Sequence, residues 1–124
     1  MAQLPPVSNV FGYLHSNVGL QPIAFTLRSR LGLTATQVWV TRSSFDGTET
    51  LRMETLTCRL ETRTAQSPDM WLFNGAVAGA PDEICESLLP IVQNLRWSGF
   101  SATFEIYDDT FQLVAECPRG GEVK

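Results

Sequence analysis

PDEICESLLPIVQNLRWSGFSATFEIYDDTFQLVAEC, residues 81–117, decides the fold. It reads as a helix, a stop and a β-hairpin. Pro81 suits the first helical position, where no backbone N–H bond is lost. Asp82 and Glu83 then set negative charge at the positive end of the helix dipole. Ile84, Leu88, Ile91 and Leu95 recur on one face, and Cys85, Leu89 and Val92 widen the stripe. Glu86, Gln93, Asn94 and Arg96 fall outside it. Pro90 opposes this pattern, because an interior proline removes a backbone bond and clashes with the preceding turn at a cost of roughly 3 kcal/mol. A bend or break within two residues of Pro90 is therefore expected. Gly99 is placed to cap the helix end after Trp97 and Ser98. Beyond it, Ala102, Phe104 and Ile106 alternate with Thr103, Glu105 and Tyr107. Phe111, Leu113, Ala115 and Cys117 alternate with Gln112, Val114 and Glu116. Asp108, Asp109 and Thr110 make the polar turn between the arms.

On the N-terminal side, residues 70–77 are apolar on both parities, with Met70 and Leu72 set against Trp71 and Phe73. A strand buried on both faces belongs inside a sheet covered on both sides. The helix over 81–97 covers one side, which leaves a second helix or another subunit to cover the other. Residues 48–63 read as one long strand whose apolar phase shifts near Glu54 and Thr55, the mark of a bulge or of a strand that changes which face is buried. Asp46 and Gly47 signal a hairpin before it. Val38 and Val40 alternate with Gln37, Trp39 and Thr41. Ile23, Phe25, Leu27 and Leu31 alternate with Ala24, Thr26, Arg28 and Arg30, which reads as a further strand.

Residues 1–27 carry no Asp, Glu, Lys or Arg. Val7, Val10, Phe11, Leu14 and Val18 recur at helical spacing, so a short helix is predicted in an N-terminal arm over 1–20. That arm packs on its own domain or docks on a partner subunit. The tail 118–124 is polar and expected to fray. The predicted order is α-β-β-β-β-α-β-β. The expected fold is α+β in a single domain over 1–124, with a five- or six-stranded, mostly antiparallel sheet.

Composition bounds the function. The 124 residues are 44% hydrophobic and 18% charged, ordinary values for a chain with its own core. A net charge of −4 argues against general binding to nucleic acid or an anionic membrane. No uncharged apolar run approaches a membrane span, and no basic flank precedes an apolar run as in a secretory signal. Cys58, Cys85 and Cys117 are odd in number with no paired spacing, and Cys58 and Cys117 share parity with apolar neighbours. Three buried free thiols in a reducing compartment, the cytoplasm, are expected.

Catalytic chemistry finds little material. His15 is the only histidine and reads as a packed or capping residue, so histidine-based triads and zinc sites lack their parts. The glycines at 75 and 79 read as a turn, since Asp82 and Glu83 would repel a phosphate at that helix start. Adjacent Asp108 and Asp109 lack the further oxygen ligands a cation needs. No catalytic residue, metal ligand or cofactor is assigned. Trp39 and Tyr107 stand on polar parities, with Arg42 near Trp39, and Trp, Tyr and Arg are enriched at binding hot spots. These three are the candidate binding residues. The expected function is a non-enzymatic module that binds a protein or peptide and pairs with itself as a homodimer. The alternative is a small enzyme or ligand carrier with a pocket between helix and sheet near Trp71, Phe73 and Trp97. Acidic mimicry of nucleic acid by an inhibitor lacks a dense acidic run.

Overall fold

The computed structural model describes residues 3–118 and shows an α+β fold. Its elements are β1 (Val10–His15), α1 (Gln21–Leu31), β2 (Val38–Arg42), β3 (Glu49–Glu54), β4 (Cys58–Thr64), β5 (Met70–Val77), α2 (Pro81–Trp97), β6 (Ser101–Tyr107) and β7 (Leu113–Cys117). The predicted tail lies outside the described residues, apart from Pro118.

α2 and the hairpin after it form where the sequence places them. Ile84, Leu88, Ile91 and Leu95 are all nearly inaccessible. Burying each contributes about 1.5–3 kcal/mol. At the helix start, the Glu83 carboxylate accepts the Ala80 N–H at 2.8 Å. α2 continues through Pro90 without a break, contrary to a break there. The missing N–H leaves the Glu86 carbonyl without its helical donor, and Glu86 is an exposed residue. The Pro90 carbonyl gains a second partner, the Asn94 amide, at 2.7 Å.

The N-terminal third corrects the reading. The predicted helix around 7–18 is strand β1, and the predicted strand at 23–31 is helix α1. Period two wins in β1: Val10, Gly12 and Leu14 point inward, while Phe11, Tyr13 and His15 point outward. In α1 the buried side chains are Ile23, Ala24 and Leu27, a helical spacing, and Phe25 is left 66% exposed. Pro22 opens this helix. Gly32, at φ +66°, closes it by donating its N–H to the Arg28 carbonyl. The predicted long strand is two, β3 and β4, because the chain turns at residues 55–57 where a bulge was expected.

The seven strands form one sheet in the order β2-β3-β4-β5-β1-β6-β7, with all neighbouring strands antiparallel. β1, first in sequence, therefore lies between β5 and β6. β5 and β6 run the same way on either side of it, joined by α2 as a crossover. α1 packs against α2 and β2, and α2 against β6 and β7. Both helices thus lie on one face, over a core of Leu14, Leu27, Leu60, Phe73, Leu88 and Phe104. Two glycines let the central strands approach. A Cβ on Gly75 would strike the Arg59 carbonyl, and one on Gly12 would strike the Thr103 carbonyl and the Phe104 ring. No helix among the described residues is long and apolar enough to cross a membrane.

Candidate functional site: the open face of the sheet

With both helices on one side, the second face of the sheet is covered by no helix or strand among the described residues. The expectation that a second helix would cover it fails, because α1 joins α2 on the first face. Register sets what the open face presents. One row across the strands runs Trp39, Arg52, Glu61, Asn74, Phe11, Glu105 and Glu116. A neighbouring row holds Arg63, Leu72, Tyr13 and Thr103. Phe11 and Tyr13 form a ridge along the middle. Tyr13 is 54% exposed, and Phe11, Met70 and Leu72 are half-buried. The Phe11 ring meets Tyr107 edge to face at 5.5 Å between centroids.

Hollows flank this ridge. On the β4 side, residues 5–8 lean over a hollow of about 430 Å³ lined by Arg52, Glu54, Arg59, Glu61, Arg63 and Asn74. On the β7 side lies another of about 340 Å³, lined by Thr103, Glu105, Glu116 and Pro118. Arg52 donates to Glu61 at 2.7 Å. The Asn74 side chain accepts the Gly12 N–H at 3.1 Å, which fixes it against the ridge strand. The Tyr107 hydroxyl donates to Glu105 at 3.0 Å. That bond, with desolvation and the carboxylate's charge, holds the phenol pKa above its ordinary value.

The three candidate binding residues do not come together. Trp39 is half-buried on the open face of edge strand β2. Tyr107 shares that face but sits on β6, five strand spacings or about 24 Å away. Arg42, of opposite parity to Trp39, bonds Glu49 at 3.4 Å. The Glu49 carboxylate also accepts the Leu20 N–H at the start of α1, so Arg42 sits by a helix cap on the other side. Phe11 and Tyr13, which sequence reasoning absorbed into a helix, are the residues it missed. The signal was there in the inward Val10, Gly12, Leu14 alternation.

The catalytic inventory stays thin. His15 is an exposed strand-end residue and not the packed or capping group expected. Trp71 and Phe73 are buried while Trp97 is 80% exposed, so the expected pocket does not gather them. Cys58, Cys85 and Cys117 are free and buried, and burial pushes the Cys58 thiol up to about 12, far from a reactive thiolate at neutral pH. Asp108 accepts hydrogen bonds from the Gln112 and Thr110 N–H groups and the Thr110 hydroxyl, which hold its pKa below the ordinary value and tie down the turn. No group of three metal-binding side chains occurs among the described residues. No family model, curated protein or solved structure matches the chain.

Proposed function

We propose that this chain is a non-enzymatic protein-interaction module whose working surface is the open face of its sheet. The observation that carries the reading is the ridge of Phe11 and Tyr13, with Met70 and Leu72 beside it, on the face of a seven-stranded sheet that no helix among the described residues covers. A sheet face of this breadth with aromatic residues at its centre has the anatomy of an interface: apolar in the middle, charged at the rim. The rigid strands hold the contact residues in place, so binding costs little ordering of the backbone.

Site-specific photocrosslinking tests it. A photoreactive phenylalanine analogue at position 13, in the full chain, is expected to crosslink protein, whether itself or another. The same probe at Gln93, on the exposed side of α2, is the comparison. Equal yields at the two positions would overturn the reading.

One observation favours a second reading, a carrier of a small anion: three arginines converge on the hollow beneath residues 5–8. Glu54 and Glu61 share that hollow and oppose an anion there. Titration with inorganic phosphate, followed by calorimetry, decides it. Saturable heat lost in Arg59→Ala supports the carrier, and its absence removes it.

A further inference from the structure

The open face is electrically two-sided. Its β3–β4 half presents Arg52, Arg59 and Arg63 with Glu54 and Glu61, and the Arg52 guanidinium is already engaged by Glu61. Arg59 and Arg63 are exposed and form no ion pair among the described residues. The β6–β7 half presents Glu105 and Glu116, both exposed, and residues 101–117 contain no Lys or Arg. Between the halves, β5 and β1 present Met70, Leu72, Phe11 and Tyr13.

We propose that a second copy of this chain occupies this face, related by a two-fold axis that lies between the two sheets and runs along the strands, over the line between β5 and β1. This rests on the reading of the open face as a protein-docking surface and names its occupant. The axis of a face-to-face pair lies in the plane of contact. An axis across the strands would set each half upon itself, the acidic β6–β7 half against the acidic half of the partner subunit, which like-charge repulsion opposes. An axis along the strands exchanges the halves. β4 then lies over β6 of the partner, β3 over β7, and the ridge strand β1 over β5. Such an axis keeps each residue's level along the strand, so Arg52 faces Glu116 of the partner subunit. Arg59 and Arg63, two residues to either side of Glu61, reach diagonally to Glu105 of the partner subunit and offset the opposition of Glu61 to that carboxylate. Tyr13 meets Leu72 of the partner subunit, and Phe11 lies between Asn74 and Leu72 of the partner subunit. Each contact occurs twice, as an isologous interface requires.

The extent of the face matches the lower end of specific interfaces, about 600 Å² on each partner. Seven strands spaced about 4.8 Å apart and about 20 Å long span roughly 600 Å² in projection. A standard interface buries about 800 Å² of accessible surface on each partner. The pairing is a sandwich of two sheets with helices outside. Because its specificity resides in exposed charges, its strength falls as salt rises.

Sedimentation equilibrium of charge-reversed full chains tests the proposal. Arg59→Glu with Arg63→Glu makes both halves acidic, and Glu105→Arg with Glu116→Arg makes both halves basic. The wild type is expected at twice the mass of one 13.7 kDa chain and to dissociate with added salt. Each variant alone is expected to dissociate at least about tenfold more readily. An equimolar mixture of the two is expected to assemble again, as a heterodimer that either copy alone cannot match. Thermal melts report whether each variant folds, and the single changes Arg63→Glu and Glu116→Arg replace any double variant that does not. A wild type that stays at the mass of one chain up to millimolar concentration overturns self-pairing, while crosslinks from position 13 to another protein would still uphold the docking surface. Dissociation by Tyr13→Ser without any effect of charge reversal overturns the axis and keeps the face.

Discussion

Glu49 shows how one side chain joins distant pieces of the chain. α1 has no side-chain cap of its own: its N-cap is Leu20, whose N–H is taken by the Glu49 carboxylate at 3.1 Å. That carboxylate also sits at the positive end of the helix dipole. Losing an N-terminal cap costs about 1 kcal/mol, and a lost charge at a helix start about 0.3–1 kcal/mol more. Glu49→Ala is therefore expected to lower stability by about 1–2 kcal/mol in urea unfolding, and Glu49→Gln, which keeps an acceptor, by about half as much. Arg42→Ala is expected to cost under about 0.5 kcal/mol, because its side chain is 71% exposed. None of this was legible in the sequence, because a cap supplied from β3 has no local spacing to betray it. The buried cysteines were legible, since parity with apolar neighbours is a local property. That Phe11 and Tyr13 lie on a face without helices was not, because it depends on which face the helices choose.

Among elements, α2 and the hairpin of β6 and β7 were legible because one period dominates each. β1 and α1 were exchanged because both periods fit. Val7, Val10, Phe11 and Leu14 match a helix as well as Val10, Gly12 and Leu14 match a strand. Ile23, Phe25 and Leu27 alternate, yet Pro22 and Gly32 bracket a helix, and those breakers carried the truer signal. The split of β3 from β4 read as a bulge because a reversal and a bulge shift apolar phase alike. At the far end of that pair from the turn, where the backbone ladder stops at Arg52 and Glu61, the buried Thr62 hydroxyl accepts the Leu51 N–H at 2.9 Å. Within α2, Pro90 breaks a local rule without breaking the helix. Pro90→Ala restores a donor to the Glu86 carbonyl and relieves the ring clash. Against that, the unfolded chain gains freedom worth about 0.4–1 kcal/mol. The expected net is a gain of about 2–2.5 kcal/mol, read as a rise in urea midpoint at unchanged slope. A loss of stability would mean that α2 is shaped around the proline to fit the sheet.

The sheet as a whole grades from a fixed centre to exposed margins. β5 and β1 pair on both sides and carry Phe73, Val77, Val10 and Leu14, all inaccessible. β7 is an edge on which Leu113 is 48% and Val114 42% exposed. Native-state hydrogen exchange is expected to find the β1 and β5 amides opening only with global unfolding, and β7 opening locally at lower free energy. Equal protection across the sheet would indicate that something covers the edges. The position of β1 has a further consequence for how the chain comes into being. During synthesis this strand leaves the ribosome before its two neighbours, which span residues 70–107. Until those emerge, β1 has no ladder to join, and the halves of the sheet have no seam. The molecule thus closes late, by a strand inserted between two others, and such long-range closure makes for slow folding. Cutting away the first fifteen residues would not trim this protein at an edge. It would unzip it down the middle.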